Sequence, residues 1–279
     1  MQMVATDLDG TIVGADGTIS ARTLTALREC ERLGIHVVFV TGRPPRWMDP
    51  IVEMTGHQGL ALCSNGAVVL DLATSQVVRS SGLDPATVLE VTARLREHLP
   101  GATFALETLS GYRREPGYLP MHQAALEAAT GTLAELLIDR PIVIKVLCRQ
   151  SPEHYGSLDS DEMLAIARRV LGGVAEVVHS DPANHMLEIS APGVNKASAL
   201  AWLAGELSVP PAEVVAFGDM PNDVPMLVWA GVGYAMTGGH PEALAAASGQ
   251  APPCAQDGVA QVLERLLVAP RLAVEGTQR

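Results

Sequence analysis

The sequence predicts an α/β protein: a Rossmann-like core on a parallel sheet, with an inserted α+β cap domain. Three observations predict it. Short apolar runs at residues 3–6, 37–40, 60–63 and 214–217 read as strands buried on both faces, each ending in small or polar residues. Segments with helical spacing of apolar residues separate them, and this strand–helix–strand rhythm implies right-handed crossovers and a covered parallel sheet. Between about residues 83 and 190 the rhythm changes to strand-like pieces with fewer helices, which suits helices on one face of an antiparallel sheet. The expected division is therefore a core of residues 1–82 and 191–279 and an insert of residues 83–190.

The elements follow in order. After the strand at 3–6, Ser20 reads as an N-cap, with Leu24, Leu27 and Leu33 near helical spacing and Gly34 as the stop. The strand at 37–40 ends in Thr41-Gly42-Arg43, and the strand at 60–63 ends in Ser64-Asn65-Gly66. In the insert, Asp84-Pro85 starts a helix that carries Val88, Val91, Leu95 and Leu99 on one face. Strands are expected at 102–106, 141–147, 174–179 and 186–189, with a helix through Met163, Ile166 and Val170. The α/β rhythm then resumes: a helix at 195–207, the strand at 214–217, a helix at 220–229, a strand at 232–236, and helices at 241–247 and 259–267.

Composition narrows the function. Of 279 residues, 31 are acidic and 19 basic, a net charge of −12, and no basic stripe marks a nucleic-acid surface. An anionic substrate would then need a local positive cluster or a metal. Hydrophobic residues make up 48 %, enough for a substantial core. The four cysteines, Cys30, Cys63, Cys148 and Cys254, are far apart and spell neither a zinc site nor a redox pair. The N-terminus lacks a signal-peptide pattern, and no apolar run approaches the roughly 20 residues that span a bilayer. The expectation is a cytoplasmic protein with no membrane and no nucleic-acid partner. Oligomeric state is not legible in the sequence.

The polar residues at the strand ends carry the chemistry. Asp7 and Asp9, in Asp7-Leu8-Asp9-Gly10-Thr11, are neighbouring carboxylates that repel unless a cation or proton relieves them. Mg²⁺ does this with few protein ligands, and an aspartate is a competent nucleophile towards phosphorus. The same residues also read as a solvated turn. Thr41 offers a hydroxyl to a phosphoryl oxygen or caps its own loop. Lys196 opens a helix, where the helix dipole disfavours a cation; this suggests a local anion, such as Asp7 and phosphate, while a solvated lysine is the default reading of the residue alone. Asp219 and Asp223, in Gly218-Asp219-Met220-Pro221-Asn222-Asp223, stand one helical turn apart and can face one point, or Asp219 and Asn222 can simply cap the helix. The conjunction of all these at successive strand ends favours one active site.

The set Asp7-Leu8-Asp9-Gly10-Thr11, Thr41-Gly42-Arg43, Lys196 after Pro192-Gly193-Val194-Asn195, and Gly218 to Leu227 resembles the haloacid dehalogenase superfamily. Ser64-Asn65-Gly66, the long insert and Asp257-Gly258-Val259-Ala260 are similar to the Cof-type phosphatases with a C2 (type IIB) cap, to about residue 268. The resemblance implies Asp7 as nucleophile and Asp9 as general acid, then base. It implies Thr41 and Lys196 as phosphoryl ligands, with Gly42, Arg43, Asn65, Gly66 and Asn222 near phosphate or substrate. It implies Mg²⁺ held by Asp7, the Asp9 carbonyl and Asp219, with Asp223 in support. The segment Tyr234 to His240 departs from it, since relatives carry Gly-Asn-Ala after the methionine. The implied activity is a Mg²⁺-dependent phosphatase of a small phosphorylated metabolite, a sugar phosphate first. Mannosyl-3-phosphoglycerate, phosphomutase or phosphotransferase readings stand as alternatives on the same fold, and a non-catalytic phospho-aspartate module is a distant one. Arg113, Arg114 and Lys145 are the insert's candidates for substrate contact, and each also reads as a solvated charge.

Overall fold

A computed structural model of the chain describes residues 1–120, 127–180 and 185–275, with side chains to residue 268. Contacts divide it into two units, Met1–Val78 with Lys196–Arg279, and Arg79–Asn195. The division falls four to five residues from the expected 83 and 190.

The first unit contains β1 (Met3–Thr6), α1 (Ala21–Arg32), β2 (His36–Val40), α2 (Asp49–Thr55), β3 (Leu60–Cys63) and β4 (Val68–Asp71), and β5 (Gln76–Ser80) runs across its boundary. The second contains α3 (Pro85–His98), β6 (Ala102–Thr108), β7 (Gly111–Arg114), β8 (Ala129–Thr130), α4 (Leu133–Leu136), β9 (Val143–Gln150), α5 (Ser160–Leu171), β10 (Glu176–Val178) and β11 (Met186–Ser190). The chain then returns to the first unit with α6 (Lys196–Glu206), β12 (Val214–Gly218), α7 (Val224–Trp229), β13 (Val232–Met236), α8 (Pro241–Ala246), β14 (Gly249–Ala251) and α9 (Gly258–Glu275). Among the described residues no helix is long and apolar enough to cross a membrane.

The core sheet runs β14-β13-β12-β1-β2-β3-β4-β5. The first six strands pair in parallel, and β4 turns back antiparallel to β3. Residues of β1 are buried throughout, which is why Met3-Val4-Ala5-Thr6 shows no alternation. One face packs Val38, Val40, Leu62 and Ala216 against Leu200, Leu203, Met226 and Leu227 of the helices. At about 1.5–3 kcal/mol per buried large aliphatic side chain, this burial holds the strands in register. From β1 the chain winds outward through β2 and β3, then restarts at β12 on the other side of β1. The order of connection therefore reverses between β1 and β12, the place where open α/β sheets bind ligands beyond their strand ends.

In the second unit the sheet order is β10-β11-β9-β6-β7-β8. All its pairings are antiparallel except β7 with β8. Phe104, Leu106, Val146, Cys148, Leu187 and Ile189 project from one face into a cluster with Val88, Val91 and Leu95 of α3 and Met163, Leu164 and Ala167 of α5. The α+β expectation matches this arrangement, with helices on the apolar face. The β4–β5 hairpin and β7 were not expected. Gln76–Ser80 is almost wholly exposed and Gly111–Arg114 only partly buried, so neither carries a core-facing alternation. The expected helix at 220–229 is a 3₁₀ turn, Pro221–Asp223, followed by α7. Pro225 has no N–H to continue one helical ladder through that point.

Gly218, the last residue of β12, shapes the ligand end of the sheet. A Cβ there would lie 2.4 Å from Cγ and 2.5 Å from Cβ of Asp223, a buried side chain with no room to retreat. Gly205, within α6, would meet nothing within 4 Å. Gly218→Ala is expected to cost about 1–3 kcal/mol of unfolding free energy by overpacking. Gly205→Ala should instead stabilise by up to about 1 kcal/mol through helix propensity. Denaturant unfolding of both variants measures this, and equal effects at the two sites would contradict it.

Candidate active site

The neighbours β12-β1-β2-β3 bring their carboxyl ends side by side, and these ends carry Asp219, Asp7, Thr41 and Ser64. Asp7 continues the β1 ladder through its N–H to the Phe217 carbonyl (2.9 Å), so its backbone is fixed beside β12. The following turn is tight: the N–H groups of Thr11, Ile12 and Val13 all donate to the Leu8 carbonyl, over buried Leu8, Ile12 and Val13. Gly10 turns there at φ 78°, and a Cβ would strike Asp219 Oδ2 at 2.3 Å, so only glycine lets this turn approach Asp219.

Lys196, the first residue of α6, is fully buried. Its Nζ donates to Asp7 Oδ1 and to Asp223 Oδ1, each at 2.6 Å. The local anion expected beside a cation at a helix start is thus a pair of carboxylates. Asp223 in turn uses Oδ2 to accept from the N–H groups of Asp219 and Met220, both at 2.9 Å. One side chain thereby fixes the ammonium and the loop that presents Asp219. Thr11 Oγ1 donates to Asp219 Oδ1 at 3.4 Å. Sequence reasoning gave Thr11 no role, and its place in the turn after Asp9 was the available signal.

Oxygens of Asp7, Asp219 and Asp223 lie within 4.8 Å of one another, a spacing that suits a bound cation. Three carboxylates against the single ammonium of Lys196 leave a formal charge of −2 in a buried place. Burial raises the Asp7 carboxyl well above the usual range. The Lys196 charge opposes this, and Asp223 and Asp219 add to it. Asp219 is pushed up to about 7, by burial first and then by Asp223. Burial alone would depress the Lys196 ammonium, yet Asp223 and Asp7 together hold it above its ordinary value. The ammonium stays charged and the surplus lies with the acids. A hard divalent cation with oxygen ligands fits that surplus.

Asp9 stands apart from this set. Its carboxylate, 58 % exposed, is gripped by Arg43, with Nε to Oδ2 at 2.8 Å and NH2 to Oδ1 at 2.6 Å. The cation that relieves Asp9 is therefore a guanidinium, a pairing the separation of 34 residues hid from the sequence. Thr41 is buried, and its hydroxyl accepts from the Arg43 N–H at 3.0 Å. That bond uses a lone pair and leaves the O–H free to donate, so capping and anion binding are compatible in one hydroxyl. Gly42 lies between them in the same loop.

The end of β3 is unusual in its backbone. Ser64, Asn65 and Gly66 take φ of 50°, 56° and 92°, three successive left-handed residues of which only glycine adopts this freely. The segment is tied down by Ser64 N–H to the Arg43 carbonyl and Asn65 N–H to the Thr41 carbonyl, each at 2.9 Å. Asn222 Nδ2 donates to Asn65 Oδ1 at 3.0 Å, joining two predicted residues 157 positions apart. Asn222 Oδ1 and Ser64 Oγ are buried without a hydrogen-bond partner.

The three insert candidates lie in the second unit, with different partners. Arg113 pairs with Asp139 and donates to the Leu136 carbonyl. Lys145 is buried against Glu188, 2.5 Å away, on the sheet face opposite the helices. Arg114 donates weakly to the Tyr118 carbonyl at 3.4 Å, and its Nε is buried without a partner. The reading of Arg113 and Lys145 as freely solvated charges does not survive, because each has an acidic partner that is distant in sequence.

Known proteins resemble this chain over most of its length. The chain is 28 % identical to a phosphoglycolate phosphatase of Methanoculleus marisnigri over 88 % of both chains. It is also 28 % identical to an HMP-PP phosphatase of Serratia proteamaculans over 97 % of both. It shares its fold with a solved sugar phosphatase of haloacid dehalogenase subclass IIB, at TM-score 0.79 and 19 % identity, covering 95 % of this chain and 99 % of that one. A solved haloacid dehalogenase-like hydrolase of B. subtilis gives TM-score 0.79 at 23 % identity, with 95 % and 100 % covered. The family profile itself matches residues 4–263, from within β1 into α9 and across every strand end described above, and the chain belongs to the haloacid dehalogenase-like hydrolases.

Proposed function

We propose that the chain is a Mg²⁺-dependent phosphatase of a small phosphorylated metabolite, with a sugar phosphate the first choice, acting through a phospho-aspartate on Asp7. The observation that carries this is the buried Lys196 ammonium held between Asp7 and Asp223 beside Asp219. The phosphatase names of its relatives and the sugar phosphatase of the same fold support it.

Asp7, the Asp9 carbonyl and Asp219 would hold Mg²⁺, which when bound neutralises charge on the phosphoryl oxygens. The remaining work falls to this chain's side chains. Lys196 fixes Asp7 Oδ1 and so sets the carboxylate plane, leaving Oδ2 for attack on phosphorus. Lys196 and the Thr41 hydroxyl are placed to donate to phosphoryl oxygens as charge moves onto them. Asp9 gives a proton to the leaving oxygen, and its carboxylate then takes one from the water that cleaves the acyl phosphate. We further propose that the second unit supplies the contacts that select the substrate.

Two outcomes test this. Asp7→Asn keeps shape but is not an anionic nucleophile, so turnover of a phosphomonoester should fall on the order of 10⁴-fold while circular dichroism stays unchanged. Wild-type rates in that variant would exclude Asp7 as nucleophile. The second concerns protons and the metal. Asp219 ionises at about 7 in the folded chain against an ordinary 3.8, so the stability tied to its protonated form is fully present below 3.8 and is lost as pH rises through about 7. Bound Mg²⁺ offsets that loss. The Mg²⁺-induced rise in Tm should therefore be larger near pH ~8 than near pH ~5, and a rise independent of pH would contradict the metal assignment.

A further inference from the structure

We infer that Arg43 is the positioning residue for Asp9, turning its carboxylate between a resting grip and the reacting oxygens; this rests on the acid–base role proposed for Asp9. The turn that carries Asp9 is held by three N–H bonds to the Leu8 carbonyl, which restrain its backbone and leave any reorientation to its side chain. Arg43 is anchored more firmly still. Its N–H donates to Thr41 Oγ1, and its carbonyl accepts from the Ser64 N–H, which ties it to the ends of both β2 and β3. From that anchorage its guanidinium takes both oxygens of Asp9 in the planar two-point geometry that fixes direction as well as distance.

The pair is too exposed to matter much for stability. Asp9 is 58 % open, and surface ion pairs contribute about 0–1 kcal/mol. Its consequence is directional. In this two-point grip the guanidinium sets the direction of the carboxylate, and the lone pairs that face Arg43 are not available to a leaving group. Opening one of the two bonds, while Arg43 keeps the other, frees a single oxygen on the side chain two residues beyond Asp7. With a proton from solvent on that oxygen, the chemistry balances. Asp7 bonds to phosphorus, the ester P–O bond breaks, and the leaving oxygen takes the Asp9 proton. A water oxygen then bonds to phosphorus, Asp9 takes the water proton, and the phosphorus bond to Asp7 breaks. Both halves need Asp9 held by one oxygen and free at the other.

The test is Arg43→Gln and Arg43→Lys against p-nitrophenyl phosphate and glycerol phosphate, with pre-steady-state kinetics. The aryl ester needs no acid to leave, so Arg43→Gln should release about one p-nitrophenolate per enzyme in a burst and then turn over slowly, because the second half still needs Asp9. With glycerol phosphate, kcat should fall about tenfold or more with KM changed less than about threefold. Arg43→Lys, which keeps the charge without the fork, should show the same burst with a smaller fall. A rise in KM on both esters without a burst would overturn the inference and make Arg43 a substrate ligand. An equal loss on both esters with a lowered Tm would also overturn it, leaving Arg43 a brace for the strand ends. Wild type that hydrolyses neither ester would overturn the phosphatase reading itself and this inference with it.

Discussion

The Lys196 ammonium, buried between Asp7 and Asp223, is the constraint on which the rest of the site depends. A fully buried charge is tolerable only when it is paired and hydrogen-bonded, and removing one partner of such a pair costs about 3–5 kcal/mol. The fold meets that demand from three directions. α6 begins at Lys196, β1 delivers Asp7, and the turn after β12 delivers Asp223. Those elements are far apart in sequence: Lys196 is 189 residues from Asp7 and 27 from Asp223. The site therefore depends on long-range pairing in the core sheet, which brings these three residues together.

The sheet topology explains why the acids arrive where they do. The order of connection reverses between β1 and β12, and Asp7 and Asp219 stand at the carboxyl ends of these two neighbouring strands. Gly10 and Gly218 keep the two loops close, since a side chain at either would collide with Asp219 or Asp223. Close approach then creates the electrostatic surplus. Asp7 and Asp219 are both shifted upward, by burial first and then by the neighbouring carboxylates, which the single ammonium only partly offsets. A hard divalent cation with oxygen ligands fits this crowding of acids.

Much of this was legible in the sequence because it is local. Thr6-Asp7, Val40-Thr41 and Phe217-Gly218-Asp219 put chemistry at the ends of apolar runs, and the run identifies the strand while the end identifies the loop. The Ser20 cap was readable in the same way, and its side chain does accept from the Thr23 N–H. Partnerships were not legible. Nothing near Arg43 announces Asp9, and nothing near Lys145 announces Glu188, because such pairs are set by strand register across dozens of residues. The exposed β5 and the short β8 were invisible for the opposite reason. They bury too little to impose a hydrophobic pattern, and tertiary pairing alone makes them strands.

In the proposed mechanism Asp7 takes the phosphoryl group, held in position by Lys196. The most direct measurement is mass spectrometry of the acid-quenched wild-type enzyme during turnover of a phosphomonoester with Mg²⁺. The account predicts a transient phosphoryl adduct on the peptide containing Asp7, formed at a rate at least that of turnover and lost when substrate is exhausted. Turnover with no adduct on that peptide at any time, or an adduct on a different residue, would contradict it.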